Sequence, residues 1–148
     1  MYWQKFVQSL FQIGIEGIAM VHAYVPQHLL DLAEFLNSYG FSDEDYDLQC
    51  IHRTVVNRAY LSTYLHTRDW IINNGPYTDI RDYATGKTGY HTAICIALNA
   101  LNKPQISGIY DNFIKLRAKA DYDIVTIIEE KDAEQALKLA HQIQNALQ

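Results

Sequence analysis

LQCIHRTVVNRAYLSTYLHTRDWIINN, residues 48–74, contains neither Gly nor Pro and lies between the acidic segment FSDEDYD and the pair Gly75-Pro76. That pattern predicts one long central helix, with Asp45 or Asp47 as its cap and carboxylates at the positive end of its dipole. At 100° per residue, Leu48, Ile51, Val55, Ala59 and Ser62 share one side. Val56, Tyr60, Tyr64 and Ile71 lie roughly opposite, and Leu61, Leu65 and Ile72 fill a third sector. A helix apolar on three sides is expected between neighbours on all of them. Arg58 projects from the third sector, and a guanidinium cannot lose its charge to escape burial. Arg58 is therefore expected to have a buried partner.

The flanking sequence reads as more helices. Tyr2 to about Tyr24 has helical spacing through Phe6, Leu10, Ile13, Gly17 and Met20, and Pro26 ends it. A second helix runs through His28, Leu29, Leu32, Ala33 and Leu36 until Gly40 supplies a left-handed stop. After the central helix, GPYTDIRDYATGKTGY is sixteen residues of turn chemistry, long for a passive connector and so a candidate functional or mobile loop. Further helices are expected at about His91–Leu101, Ile106–Lys119 and Asp132–Leu147, with Ala120–Thr126 as a break. No stretch alternates as a strand does. The expected fold class is all-α, an up-and-down bundle of five to six helices in one domain over 1–148, with residues 1–25 as an additional N-terminal helix.

Bulk properties narrow the function. The chain has 148 residues, 49% of them apolar and 20% charged, which suits one domain with a sizeable core. Its two cysteines, Cys50 and Cys95, have no metal-site or disulfide-scaffold spacing, so a cytoplasmic chain with reduced thiols is expected. No targeting or membrane-spanning segment is visible, since polar residues Lys5, Gln8, Gln12 and Glu16 interrupt the N-terminal apolar stretch. A net charge of −5 argues against a broad basic surface for nucleic acid. Residues 50–91 nevertheless hold Arg53, Arg58, Arg68, Arg81 and Lys87 against Asp69, Asp79 and Asp82. Such a patch is either a solvated face or a phosphate contact.

Several chemistries lack their residues. GKT at 86–88 resembles the end of a phosphate-binding loop, but Arg81 stands where that motif needs Gly. No two of the six histidines are spaced i, i+4 as on a zinc-enzyme helix, and neither a metal nor a cofactor is expected. No Ser or Cys occupies a nucleophile elbow.

Three stretches remain: RTVVNRAYLSTYLHTRDW at 53–70, GYH at 89–91, and LRAKADYD at 116–123. In this order and spacing they resemble the HEPN family, over residues of about 28–148. The resemblance implies an all-α bundle that usually dimerises, in proteins tied to RNA cleavage, toxin–antitoxin pairs, nucleotide binding and antiviral defence. Ribonuclease members carry Arg followed by His after four to six residues, a phosphate cation beside an acid/base group. None of the five arginines here has a His in that window. Arg58 and His66 enclose seven residues, which places them about 80° apart and ~12 Å along a helix.

Two groups of candidates follow. A structural ion pair is expected between Arg58 and Asp121 or Asp123, with Tyr60 and Tyr122 packed and their hydroxyls satisfied. Arg117, Arg68, Arg81 and Lys87 are the ligand-binding candidates, and Arg58, His66 and His91 the catalytic ones. The leading functional expectation is an RNA- or nucleotide-linked binding or regulatory module of a prokaryotic defence or toxin–antitoxin system, without its own cleavage chemistry. One alternative is a metal-independent endoribonuclease, in which Arg58 or Arg117 holds the phosphate and His66 or His91 moves the proton. Another is a helical scaffold subunit. A homodimer is expected, from the resemblance and from the surplus apolar residues Trp3, Phe6, Leu10, Phe11 and Ile15; a partner protein encoded nearby, RNA or a nucleotide are the other candidate partners, and no membrane is.

Overall fold

The computed structural model describes residues 25–42, 47–86 and 88–148. The expected helix at 2–24, most of the acidic FSDEDYD loop, and Lys87 lie outside the described residues. Five α-helices follow in order: α1 Pro26–Ser38, α2 Leu48–Asn74, α3 Tyr90–Ala100, α4 Pro104–Tyr122 and α5 Glu130–Ala146. A single 3₁₀ turn, Ile80–Tyr83, interrupts the connection from α2 to α3. Among the described residues there is no strand, so the fold is an all-α bundle.

The ends of these helices follow from local chemistry. Pro26 occupies the first turn of α1, where its missing N–H costs nothing. Gly40, two residues after α1, takes φ +70°, the left-handed geometry open to a residue without Cβ. At the start of α2, the Asp47 carboxylate accepts from the Gln49 N–H at 2.9 Å. Asn102 supplies the left-handed turn after α3 with φ 58°, and Lys103 N–H then reaches back to Leu98 C=O at 2.8 Å. Helix α5 opens on a reciprocal capping box between Glu129 and Asp132, which starts it at Glu130, two residues before the expected Asp132.

Helix α2 touches all four other helices. Its first side buries Val55, Ala59 and Ser62; its second buries Val56, Tyr60, Thr63, Thr67 and Ile71. Opposite them pack Leu30 and Ala33 of α1, Leu98 of α3, Phe113 of α4, and Ala136, Ala140 and Ile143 of α5. The fully buried alanines 33, 59, 93, 97, 133, 136 and 140 present no bulk beyond Cβ, which lets neighbouring helices pack closely. The third sector differs from expectation, since Arg58, Leu61, Leu65 and Ile72 are only half-buried. Arg58 is thus not forced out of water.

The long connection after α2 is anchored at its middle. Ile80 of the 3₁₀ turn enters the core, and the Tyr83 ring sits edge-on to Tyr77 at 4.8 Å. The Tyr83 hydroxyl lies against Gly75, where a Cβ would come within 1.7 Å of it. Glycine is therefore required at 75 by a close approach and not by its backbone angles.

Candidate functional site

A polar stripe on α2 organises the site. Gln49, His52, Arg53 and Asn57 recur three, four and eight residues apart, on one face of the helix, and all reach the junction of α4 and α5. Gln49 exchanges two hydrogen bonds with Ile128, donating to its C=O at 2.7 Å and accepting from its N–H at 2.8 Å. His52 Nδ1 lies 3.0 Å from the same carbonyl. Arg53 donates to the carbonyls of Ala120 at 2.5 Å, Asp123 at 2.9 Å and Thr126 at 2.6 Å, with a marginal contact to Lys119 at 3.5 Å. A cation on the last carbonyls of α4 satisfies acceptors that no N–H of that helix can reach, and suits the negative end of its dipole.

The next turn of α2 carries the part with chemical potential. Asn57 Nδ2 donates to both Asp121 carboxylate oxygens, at 3.2 and 3.1 Å. Arg117, one turn before Asp121 on α4, brings its Nε to 2.5 Å from Asp121 Oδ2. The Arg117 guanidinium faces two rings, Tyr122 at 4.9 Å and Tyr60 at 5.8 Å. Its Nη groups make no hydrogen bond to a described residue. Below it, the Tyr60 hydroxyl lies 2.6 Å from His91 Nδ1 and 3.2 Å from the Tyr110 hydroxyl, so Tyr110, Tyr60 and His91 form one chain. His91 also packs edge-on against Tyr64 at 5.3 Å.

Electrostatics separate these groups. Burial pushes the Tyr60 phenol far above its ordinary value, and Tyr110 likewise. Burial, and then the positive charge of Arg117, hold His91 below 6.5. The imidazole is therefore neutral near pH 7.

The other candidates fall elsewhere. The expected pair of Arg58 with Asp121 or Asp123 does not form. Asp121 is held by Arg117 and Asn57, and Asp123 accepts from the Val125 and Thr126 N–H groups and the Thr126 hydroxyl within its own turn. Asn57 and Arg58 differ by 100° around the helix, and it is Asn57 that faces α4. Arg58 has no hydrogen bond or ion pair with a described residue. Tyr60 is buried with its hydroxyl satisfied, as expected, but Tyr122 is 68% exposed. His66 lies 3.3 Å from the Leu147 carbonyl through Nε2, about 200° around α2 from Tyr64, so it is not beside His91. Arg68 is engaged by Asp69 at 2.6 Å, and Arg81 by Asp79 at 2.6 Å while its guanidinium covers the Tyr90 ring.

Of the sequence candidates, then, His91, Arg117 and Asp121 meet around Tyr60. Asn57 and Tyr110 join them without having been singled out, and Arg53, read before only as one charge of the basic patch, holds the carbonyls at the end of α4. A readable signal existed for two of these, because polar residues repeating along one face of a buried helix need partners across the bundle. Among the described residues no group of three or more His, Cys, Asp or Glu side chains could hold a metal ion, and no helix is long and apolar enough to cross a membrane. No family model, no curated protein and no solved structure matches this chain.

Proposed function

We propose that this protein is a HEPN-like binding module that takes RNA or a nucleotide at the Arg117 cluster and leaves it uncleaved, within a prokaryotic defence or toxin–antitoxin system. The observation that carries the reading is the Arg117 guanidinium. It is oriented by Asp121 through Nε and flanked by the Tyr60 and Tyr122 rings, and its Nη donors make no hydrogen bond to a described residue. A fork of N–H groups in that setting matches phosphate geometry, and the exposed Tyr122 ring offers a face on which a base stacks. The meeting of the three motif stretches, through Tyr60, His91 and Arg117 with Asp121, also supports the family reading.

Cleavage of RNA without a metal needs one group to take the 2′-hydroxyl proton and another to protonate the leaving oxygen. In this cluster His91 is the neutral base; the Tyr60 phenol is too weak an acid to be the second group, and Asp121 is held by Arg117 and Asn57. The alternative, a ribonuclease using His91 and Arg117, draws on their proximity, which is close enough for the charge of Arg117 to lower the pKa of His91.

One experiment separates the two. Fluorescently labelled single-stranded and hairpin RNAs are titrated with the protein at two salt concentrations, and the same samples are run on a denaturing gel. The expected result is intact RNA, binding that weakens as salt rises, and about tenfold weaker binding for Arg117→Lys, which keeps a cation beside Asp121 but loses the fork. Cleavage that disappears in His91→Ala would replace this reading with the ribonuclease one.

A further inference from the structure

The Tyr60 hydroxyl stands between His91 Nδ1 at 2.6 Å and the Tyr110 hydroxyl at 3.2 Å, so three groups divide two hydrogen-bonding contacts. Tyr110 is wholly buried and Tyr60 is 3% exposed, which denies both phenols water as a partner. Among the described residues, the Tyr110 hydroxyl meets only that of Tyr60. Both phenols keep their protons, since burial raises their pKa values. With Nδ1 bare, Tyr110 donates to Tyr60, Tyr60 donates to Nδ1, and both hydroxyl hydrogens are used. With a proton on Nδ1, three hydrogens compete for the two contacts, and one buried O–H is left without an acceptor. Such a group has lost its hydration with nothing in return, which weighs against that form. The proton of the neutral ring therefore sits on Nε2. That nitrogen has no hydrogen-bond partner among the described residues and is not a buried atom.

We infer that Tyr60, backed by Tyr110, is a positioning residue that holds His91 as its Nε2–H tautomer, so that the ring turns an N–H donor, and no proton acceptor, toward the ligand at Arg117. An outward N–H recognises an acceptor oxygen, and a phosphate offers oxygens to both the ring and the Arg117 fork. The same arrangement accounts for binding without cleavage. The lone pair that could take a 2′-hydroxyl proton is turned inward onto Tyr60, and the outward nitrogen already carries its proton. Helix α3 agrees with this. His91 is its second residue and no side chain caps its first turn, where the positive end of the dipole favours an anion and a neutral ring. The tautomer is independent of any ligand, whereas its use rests on the proposed Arg117 site.

The test is NMR of the imidazole rings through their two-bond proton–nitrogen couplings, on the full labelled chain at about pH 8, where histidines are neutral. The parent, Tyr60→Phe and Tyr110→Phe are compared, His91→Gln assigns the signals, and circular dichroism checks that each variant is folded. The expected parent holds His91 in the Nε2–H form by about tenfold or more, seen as one protonated and one bare nitrogen. Tyr60→Phe removes the donor to Nδ1, so the two nitrogen signals should move toward each other as the tautomers mix. Tyr110→Phe leaves that donor in place and should move them less. AMP added to the parent should shift the Nε2 signal and leave Nδ1 bare. A parent protonated at Nδ1 overturns the inference, as does a folded Tyr60→Phe whose two signals stay where they were. AMP that shifts the Arg117 side chain but not His91 Nε2 overturns the role toward the ligand. AMP that shifts neither refutes the proposed Arg117 site, and the tautomer is then decided by the ligand-free spectra alone.

Discussion

Replacing Arg53 by alanine removes a side chain whose guanidinium donates to the carbonyls of Ala120, Asp123 and Thr126 at 2.5–2.9 Å. Each bond is charge-assisted, and such bonds contribute about 1.5–3 kcal/mol when both partners are shielded. Arg53 is only half-buried, and the Asp123 carbonyl lies at an exposed turn where water can replace the donor. Discounting that bond, and allowing partial rehydration of the other two, leaves a loss of about 3 kcal/mol. Arg58 stands five residues later on the same helix, is also half-buried, and has no such partner among the described residues. Arg58→Ala should therefore cost less than about 1 kcal/mol. Urea unfolding followed by circular dichroism, with the m-value held common, measures both. Arg53→Lys, with one cationic head in place of the fork, should recover less than half of the loss. A change under about 1 kcal/mol for Arg53→Ala would refute the reasoning, as would an Arg58→Ala loss as large as that of Arg53→Ala.

Gly75→Ala should destabilise by about 2 kcal/mol in the same assay, because its Cβ would meet the Tyr83 hydroxyl at 1.7 Å and the Ile71 carbonyl at 2.9 Å; Tyr83→Phe should relieve part of that loss in the double variant. His91 titrates below 6.5 in the folded chain, so the fold binds its proton less readily than the unfolded chain does. Its contribution to stability is complete above the unfolded value near 6.5 and declines as pH falls below that toward the folded value, which pH-dependent urea unfolding with His91→Gln as reference would detect. In Arg117→Gln, imidazole resonances followed by NMR should show the His91 pKa move up toward 6.5 without reaching it, since burial remains the larger cause.

The limits of sequence reading here have physical causes. Helix α2 was legible to its ends because Asp47 caps it, Gly75-Pro76 closes it, and no breaker intervenes. The stripe of α5 was equally plain, while its start lay two residues earlier because a capping box, not burial, sets it. The ion-pair network was misread by one residue, Asn57 facing Asp121 where Arg58 was expected, since a 100° step decides the partner and apolar periodicity fixes rotation less finely than that. Arg53 was read only as one charge of a basic patch because its acceptors are backbone carbonyls, which leave no mark in the sequence. His91, Arg117 and Asp121 were legible as motif residues, but the chain from Tyr110 through Tyr60 to His91 depends on how α2, α3 and α4 cross.

The most direct test of the proposed ligand site is a two-dimensional NMR titration of the isotopically labelled protein with a mononucleotide and, separately, a short single-stranded RNA. The account predicts that the Arg117 side-chain Nε–H, the His91 imidazole and the Tyr122 ring shift first and saturate together, while the side chains of Arg68, Arg81 and His66 stay in place. Saturable shifts centred on Arg68 or Arg81, with Arg117 and His91 unmoved, would contradict it.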